Sequence, residues 1–420
     1  MTKIQMAKKT FSIISLGCFR NTYDSEVIIK RFQNKGYRYV CEASQALDLM
    51  IINTCGFIEE AKKESLTLIR EALSLKRKGR IKRILVSGCL SQRYRNELRK
   101  SLPQVDEFKG VEEFEIGFES GLKLTTKNSA FVKISEGCIN CCSFCAIPLI
   151  KGSLKSRPSK DIIREVRFLN DRGVKEINII GQDITSWGKD LGKSRGFSRL
   201  LASIEEAADK VSWIRLIYTH PKHFSSELIE MIGKSAKICN YIDLPIQHIN
   251  DKILKSMNRG ISSDKLISLI KKIRKTIPKV ALRSSIIVGF PGENNKDFQE
   301  LKDFLKFIKF ERLGVFVYSR EEGTRAYDFV PQVHPATKKK RQRLLMEQQK
   351  DIVAEFNKGL LDKKISVLIE ERQNSTFIGR SEYDAPEVDG QVFVKRKGLK
   401  IGHIYQLKIT DYFGYDLIAE

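Results

Sequence analysis

Residues 131–145 read FVKISEGCINCCSFC and join a short apolar run to four cysteines. The run FVKIS is typical of a strand that is covered on both faces. Cys138, Cys142 and Cys145 follow it with the spacing C-x3-C-x2-C, which offers three thiolates to an iron–sulfur cluster with four iron corners. A second register, through Cys138, Cys141 and Cys145, competes with the first. Zinc is the weaker alternative, because a structural zinc site needs four closed ligands and no nearby Cys-x2-Cys pair or histidine completes one.

Downstream of this segment, apolar runs alternate with helical patterns. The strand-like runs are FVKIS, KEINIIG, WIRLIY, YIDLPI, ALRSSIIVGF and RLGVFVYS. Six βα units without two further strands predict an open, partial (β/α)6 barrel over residues 126–355, with its chemistry at the carboxyl ends of the strands. A long helix from about Lys338 to Lys358 ends this domain. Its basic run KKKRQR is typical of a solvated face, which could also touch RNA.

Upstream, residues 9–125 alternate in the same way and predict a parallel α/β sheet. Three strand runs, FSIISLGC, DLMIINTC and RILVSGC, end at Cys18, Cys55 and Cys89. The carboxyl ends of parallel strands meet at one edge of a sheet, so these three cysteines can converge. A glycine beside each cysteine favours ligands to a bulky cofactor over the alternative of small buried apolar residues.

Residues 356–420 consist of short runs broken by glycines and predict a small antiparallel β-barrel of the five-stranded oligonucleotide-binding (OB) kind. From residue 357 onwards ten Lys or Arg balance ten Asp or Glu, so the whole net charge of +24 lies upstream. That charge favours a polyanionic neighbour such as RNA, although a generally basic composition is an equal alternative.

The composition of the whole chain indicates a folded protein of more than one domain. The 420 residues are 41% hydrophobic and 30% charged, which excludes a disordered chain and predicts two or three domains. We expect a cytoplasmic protein without a membrane partner, since no window approaches the roughly 20 apolar residues of a membrane helix. Nine cysteines in such a protein indicate metal binding or catalysis rather than disulfides.

The cysteine loop of the central domain, with Phe144 inside it, resembles that of the radical S-adenosylmethionine enzymes. The resemblance implies that Cys138, Cys142 and Cys145 hold a [4Fe-4S] cluster whose open iron is chelated by S-adenosylmethionine. One electron from the cluster would then cleave S-adenosylmethionine to a 5′-deoxyadenosyl radical. The implied contacts to S-adenosylmethionine, in the order of the chain, are Phe144 at the adenine, Gly181 and Gln182 at the methionyl amine, and Gln247, Ile287 and Gly289 at the nucleoside.

The order of the three domains resembles the radical S-adenosylmethionine methylthiotransferases over essentially the whole chain, and makes the last one a TRAM domain. The motifs that carry this resemblance are Leu16-Gly-Cys18, Asn53-Thr-Cys55-Gly-Phe57, Gly88-Cys89-Leu90 and Gly289-Phe-Pro-Gly-Glu293. It implies that Cys18, Cys55 and Cys89 hold a second [4Fe-4S] cluster, whose open iron carries an exogenous sulfur. Two molecules of S-adenosylmethionine would be used, one to methylate that sulfur and one to supply the radical.

The family includes enzymes that act on adenosine of tRNA and one that acts on the β-carbon of an aspartate in small-subunit ribosomal protein twelve. Residues 381–390, with Asp384, Glu387 and Asp389, resemble the second branch. Four acids without a base predict a surface that binds a basic ribosomal protein and repels phosphate. A solvated acidic loop is the alternative.

The implied partners are the ribosomal protein, an external electron donor and ribosomal RNA. Two other functions stay open at this point. One is a tRNA adenosine methylthiotransferase, and the other is a non-enzymatic RNA-binding assembly module with zinc.

Overall fold

The computed structural model describes residues 9–41, 46–111, 128–193 and 195–420. The predicted boundary between residues 125 and 126 lies outside these ranges. The chain divides into two compact units. The first comprises Met1–Leu124 with two later segments, Glu136–Cys138 and Ala146–Arg157, and the second comprises the rest of the chain. The predicted central and C-terminal domains therefore belong to one unit.

The first unit contains a five-stranded parallel sheet in the order β2-β1-β3-β4-β5, which confirms the predicted parallel α/β fold. Its strands are β1 (Thr10–Ser15), β2 (Arg38–Tyr39), β3 (Leu47–Thr54), β4 (Ile81–Gly88) and β5 (Glu107–Phe108). Its helices are α1 (Phe19–Asn34), α2 (Glu59–Arg77), α3 (Cys89–Ser101) and, from the later segment, α4 (Ile147–Lys151). A two-stranded ribbon pairs β7 (Ser135–Glu136) with β8 (Lys155–Ser156). The two-residue edge strands β2 and β5 were not predicted.

The strands of this sheet are apolar on both faces because helices cover both. Ile52, Ile84 and Val86 lie in the core on one face, and Ile51 and Leu85 lie in the core on the other. Successive residues point to opposite faces of a strand, so a run such as Leu47–Thr54 buries every second side chain on each face.

The second unit begins with a six-stranded parallel sheet in the order β13-β12-β11-β10-β9-β6, which confirms the predicted partial barrel. Its strands are β6 (Ser129–Lys133), β9 (Glu176–Ile180), β10 (Trp213–Leu216), β11 (Ile238–Asp243), β12 (Ala281–Val288) and β13 (Arg312–Val317). Its helices are α5 (Ser159–Asp171), α6 (Gly196–Ala207), α7 (Ser226–Lys234), α8 (Asp251–Ser256), α9 (Ser263–Thr276), α10 (Asn295–Ile308) and α11 (Pro335–Lys358). Within the described ranges β13 and β6 do not pair with each other, so the barrel is open.

The strands of the partial barrel differ between their two faces. Ile177 and Ile179 of β9 pack in the main hydrophobic core, whereas Glu176 and Asn178 lie on the opposite, inner face. Arg215 of β10 is also an inner residue, and all three inner side chains are buried. Buried polar groups on the inside need polar partners. The C-terminal domain supplies them for Glu176, through Arg380, and for Arg215, through the carbonyl oxygen of Glu382.

The C-terminal barrel is closed, in the order β14-β15-β16-β18-β17, with β14 also paired to β17. Its strands are β14 (Lys364–Gln373), β15 (Thr376–Ser381), β16 (Val392–Val394), β17 (Ile404–Phe413) and β18 (Asp416–Ala419). Four strand pairs are antiparallel and β16–β18 is parallel. This agrees with the predicted five-stranded OB-like barrel, except for the one parallel pair.

The basic run on α11 is partly buried, so its interpretation as a solvated face is wrong for two residues. Arg341 places Nη1 2.7 Å from Glu293 Oε1, and Lys338 donates from Nζ to the carbonyl oxygen of Tyr318 at 3.1 Å. Lys339 is exposed, as the pattern predicted. No helix in the described part of the chain is both long enough and apolar enough to cross a membrane.

Candidate active site

Three cysteines of the first unit lie together at the carboxyl edge of its sheet. Cys18 precedes α1, Cys55 follows β3 and Cys89 begins α3, and the strands before them are neighbours. A Cβ added at Gly17 would lie 2.9 Å from Cys55 Cβ, and one at Gly56 would lie 3.0 Å from the carbonyl carbon of Cys89. The two glycines therefore allow the three cysteine segments to approach one another closely.

Two buried asparagines fix the ends of these strands. Asn21 donates from Nδ2 to the carbonyl oxygens of Leu16 and Thr54, at 2.8 and 3.0 Å. Asn53 donates from Nδ2 to the carbonyl oxygen of Asn21 at 2.9 Å. The Cys89 thiol lies 3.7 Å from Asn21 Oδ1. The backbone around the three thiols is thus held by side chains that precede or begin the helices.

The electrostatic surroundings of these thiols differ. Burial raises the pKa of Cys89 to about 12. Burial acts in the same direction on Cys18, but the charge and hydrogen bond of Arg20, whose Nε lies 3.4 Å from the sulfur, outweigh it and lower the pKa of that thiol. The buried ammonium of Lys151, paired with Asp24 at 3.2 Å, is a nearby positive charge for Cys89.

The sulfur atoms of Cys18, Cys55 and Cys89 do not all lie within 4.8 Å of one another. A tetrahedral zinc site, with Zn–S bonds of about 2.3 Å, brings sulfur atoms within roughly 4 Å of one another. Among the described residues, three potential ligand atoms lie within 4.8 Å of one another in one place, formed by Asp183, His220 and His223, and not at Cys18, Cys55 and Cys89.

The cysteine loop that follows β7 is fixed at several points. In the first unit, the backbone N–H of Cys138 donates to the carbonyl oxygen of Gly152 at 3.2 Å. Gly137 has φ +69°, and a Cβ there would lie 2.1 Å from the carbonyl oxygen of Ser153. Only glycine fits at this position, directly before the first cysteine of the loop.

In the second unit, the loop contacts the segment after α8. The Cys142 sulfur accepts a hydrogen bond from Nη1 of Arg259 at 3.2 Å, and Ser143 donates from its N–H to the carbonyl oxygen of Met257 at 3.0 Å. Cys141 is exposed, and Asn258 Nδ2 donates to its carbonyl oxygen at 2.7 Å. Cys142 thus has a side-chain contact and Cys141 is exposed, and the register through Cys138, Cys142 and Cys145 stays a prediction.

The predicted contacts to S-adenosylmethionine lie in two places in the second unit. Phe144 and Ile287 pack against the same buried apolar cluster. The carbonyl oxygen of Gln247, a residue with φ +72°, accepts the N–H of Ile287 at 2.9 Å, and Gly289, also with φ +72°, directly follows β12. Gly181 and Gln182 follow β9, where a Cβ at Gly181 would lie 2.8 Å from Ser135 Oγ.

Several polar residues near these places were not among the predicted site residues. They are His220, His223 and Arg259, whereas Asp183 belongs to the segment Gly181-Gln182-Asp183 that was expected at the methionyl amine. The sequence carried one signal for the histidines, since two of the five in the chain stand in the loop after β10. Asn140, from the cysteine loop, donates from Nδ2 to Asp183 Oδ2 at 2.7 Å, which ties that loop to the end of β9.

The acidic segment 381–390 contacts the central barrel rather than presenting a free acidic surface. The Asp384 side chain is 2% exposed and binds Arg312, with Nε 2.7 Å from Oδ1. The Asp389 side chain, 4% exposed, accepts from the Tyr241 hydroxyl at 2.7 Å and lies 3.3 Å from Arg283 Nε. The expectation of a charged docking surface is therefore wrong for these two carboxylates, because arginines of the barrel neutralise them.

Glu387 is the member of the predicted acidic trio that is exposed. Its role in binding the ribosomal protein stays a prediction.

Models of three protein families match the chain. Residues 10–110 match the uncharacterized protein family UPF0004, residues 132–305 match the radical SAM superfamily, and residues 363–420 match the TRAM domain. The three matches follow the order of the sheet, the partial barrel and the closed barrel.

Proteins named ribosomal protein uS12 methylthiotransferase RimO are similar over nearly the whole chain. The protein of Thermoanaerobacter sp. (strain X514) is 44% identical, covering 98% of this chain and 100% of its own length. That of Christiangramia forsetii is 39% identical, covering 99% and 95%, and that of Geobacter sulfurreducens is 40% identical, covering 99% and 99%.

Solved structures share the fold at low identity. The radical S-adenosylmethionine methyltransferase TsrM from Kitasatospora setae, solved with cobalamin and a [4Fe-4S] cluster, matches with a TM-score of 0.54 at 12% identity. The match covers 74% of this chain and 75% of that one. At this identity the likeness concerns the fold alone.

Proposed function

Because the chain belongs to the RimO family of radical S-adenosylmethionine methylthiotransferases, we propose that it transfers a methylthio group to ribosomal protein uS12. We propose further that the acceptor is the β-carbon of an aspartate side chain. The observation that carries the proposal is the pair of cysteine trios, each placed after parallel strands in a chain that matches RimO proteins from end to end.

The radical S-adenosylmethionine family uses one [4Fe-4S] cluster with S-adenosylmethionine, and Cys138, Cys142 and Cys145 are the residues that would hold it. When bound, that cluster supplies the electron that cleaves S-adenosylmethionine into a radical able to remove a hydrogen atom from carbon. The protein contributes the loop geometry. Arg259 directs a positively charged donor at the Cys142 sulfur, at 3.2 Å.

A second [4Fe-4S] cluster, held by Cys18, Cys55 and Cys89, is part of the proposal. Its support is the close approach of the three cysteine segments. The methylthio group needs a sulfur atom in addition to the methyl group, and a second site of this kind would hold it. Cytoplasmic location and an external electron donor follow from the same proposal, since the substrate is a ribosomal protein and the cluster must be reduced.

The remaining part of the proposed function is contact with ribosomal RNA. The loop between β16 and β17 exposes Lys395, Arg396 and Lys397 in succession. Exposed basic residues on a small OB-like barrel suit a phosphate backbone.

The experiment uses the anaerobically reconstituted full chain with S-adenosylmethionine, a reductant and uS12. Peptide mass spectrometry scores the product, and a parallel reaction contains tRNA instead. We expect a gain of about 46 mass units on an aspartate-containing peptide, the shift for replacing H by SCH₃. The same gain on a tRNA adenosine, with uS12 unmodified, would contradict the proposal.

Metal content is an independent check. Two clusters correspond to about eight irons per chain. About four irons would contradict the second cluster, and zinc without iron would contradict both.

A further inference from the structure

A polar cluster occupies the carboxyl ends of β9 and β10. Asp183 follows β9, and His220 and His223 follow β10, with one ligand atom from each within 4.8 Å of the other two. The histidine rings lie 5.2 Å apart between their centroids. This edge of the barrel also carries the cysteine loop, because Asn140 binds Asp183. The cluster therefore adjoins the place where the chemistry is expected.

The cluster does not suit a metal ion, although its residue types are those of metal ligands. The Asp183 carboxylate already accepts hydrogen bonds from Thr185 Oγ1, Ser186 Oγ, Asn140 Nδ2 and His223 Nδ1. A carboxylate has about four acceptor positions, so these bonds occupy it. A cation would have to displace them.

His220 presents a buried hydrogen-bond donor. Its Nδ1 accepts the backbone N–H of Lys222 at 3.2 Å, which leaves the proton of the neutral ring on Nε2. The residue is 5% exposed, and Nε2 has no hydrogen-bond partner within the described residues. Burial, strengthened by the nearby charge of Arg259, lowers the pKa of His220 to about 2, so the ring is neutral. A buried N–H of this kind is satisfied when a ligand supplies an acceptor.

Arg259 and Lys222 lie close enough to His220 for their positive charges to lower its pKa. The Lys222 side chain lies along Gly260, where an added Cβ would be 3.0 Å from Lys222 Nζ. Lys189 is close enough to Asp183 and Lys222 for their charges to affect its pKa, which burial lowers. Arg259 lies nearby, with its Nε lacking a partner among the described residues. A donor flanked by cationic groups fits an anion rather than a cation.

We propose that His220 Nε2–H and the ammonium groups of Lys189 and Lys222 bind the side-chain carboxylate of the target aspartate of uS12. The inference rests on the proposed function and names the residues that select its substrate. Methylthio transfer to the β-carbon leaves the carboxylate one bond away unchanged, so the carboxylate can serve as a handle throughout the reaction. A site built to bind a charged group disfavours an uncharged analogue, because its own donors would be left without partners.

The test compares Lys222→Ala and His220→Gln with the wild type, using the reconstituted full chain. Lys222→Arg tests conservative rescue, and Lys234→Ala is the matched control, since it removes an exposed lysine from α7 of the same unit. Three quantities are measured: the KM for uS12, the Kd for S-adenosylmethionine, and the kcat/KM ratio between uS12 and a uS12 variant with Asn at the target position.

We expect Lys222→Ala to raise the KM for uS12 on the order of tenfold, the effect of losing one charge-assisted contact, and to raise the Kd for S-adenosylmethionine by a much smaller factor. The preference for Asp over Asn should fall by a similar factor, and Lys222→Arg should restore most of it.

Two results would overturn the inference while the wild type still modifies uS12. One is an unchanged Asp over Asn preference in both variants. The other is an equal loss of S-adenosylmethionine affinity, which would assign the pocket to the methionyl carboxylate. A wild type that modifies no uS12 would contradict the proposed function itself, and this inference with it.

Discussion

Single residues decide whether the cysteine trio of the first unit can assemble. Gly17 stands directly before Cys18 with φ +90°, and its missing side chain makes room for Cys55. Gly36 has a similar φ of +84°, but a Cβ there meets nothing within 4 Å. A comparison of alanine substitutions at Gly17 and Gly36 therefore distinguishes the effect of backbone strain from the effect of contact with Cys55.

We expect Gly17→Ala to displace Cys55 and reduce iron content from about eight to about four per reconstituted chain. Gly36→Ala should keep the full iron content, while each substitution costs roughly 1 kcal/mol of strain. Iron analysis and absorption spectra measure the difference. Full iron content in Gly17→Ala would show that the close approach of Gly17 to Cys55 has no bearing on a cluster.

We expect substitutions in the two cysteine trios to affect different steps of the reaction. Cys142→Ala should abolish formation of 5′-deoxyadenosine, whereas Cys55→Ala should retain it and lose methylthio transfer. Cys141→Ala is the control within the same loop, because that thiol is exposed. Chromatography of deoxyadenosine beside mass spectrometry of uS12 makes the comparison. Loss of cleavage in Cys141→Ala with retention in Cys142→Ala would favour the other register.

At the scale of elements, the end of β15 and the loop that follows it join the C-terminal barrel to the inside of the central one. Asp384 pairs with Arg312, the first residue of β13, and Arg380 pairs with Glu176, the first residue of β9. These contacts lie at the amino ends of the strands, away from the cysteine loop. The segment is a structural connection between elements.

We expect Asp384→Ala to lower the free energy of unfolding by about 3–5 kcal/mol, because it leaves the buried Arg312 guanidinium without its partner. Glu387→Ala should cost less than about 0.5 kcal/mol, because the Glu387 side chain is exposed although it lies in the same loop. Urea unfolding followed by circular dichroism gives both values. Equal losses would contradict the assignment of Asp384 to an ion pair.

Glu176 gives this connection a pH dependence. Burial alone would raise its pKa, but Arg380 and Arg215 outweigh burial and lower it from 4.5 to about 2. Since the folded pKa lies below the unfolded one, the stabilisation is complete above pH 4.5 and is lost as the pH falls towards 2. The loss amounts to about 3 kcal/mol. Unfolding free energies measured across this range should therefore fall more steeply in the wild type than in Glu176→Gln, and parallel slopes would contradict the prediction.

The elements differ in how far the sequence predicts them. The strands before Cys18, Cys55 and Cys89 are recognisable because strands buried on both faces must be continuous apolar runs. The two-residue strands β2 and β5 carry no such run. The burial of Asp384 could not be predicted, because its partner Arg312 is 72 residues away and a local cluster of acids looks the same whether it is solvated or paired.

The features of the candidate site also differ in how far the sequence predicts them. A spacing such as that of Cys138, Cys142 and Cys145 is local and can therefore be recognised in the sequence. The polar cluster around His220 is formed by the loops after two strands. Only the folded structure shows that His220 Nδ1 accepts a hydrogen bond while Nε2 has no partner among the described residues.

For the whole molecule, the contacts of Glu176, Arg312 and their partners place the central and C-terminal barrels in one compact unit. Exchange of the most protected amides should therefore show the same dependence on urea concentration in β9–β13 as in β14–β18. Hydrogen exchange with mass spectrometry measures this dependence. Release of β14–β18 at lower urea would show that the C-terminal barrel unfolds on its own.

The ion pairs between the two barrels also constrain protein engineering. A chimera that receives its C-terminal barrel from a relative with another substrate would bring in a different set of side chains against Arg215, Arg283 and Arg312. Arg312 would then lack the carboxylate of Asp384, whereas Arg215 and Arg283 would keep Glu176 and Asp243 of the central barrel. Domain exchange within this family should accordingly transplant Arg312 together with the barrel that neutralises it.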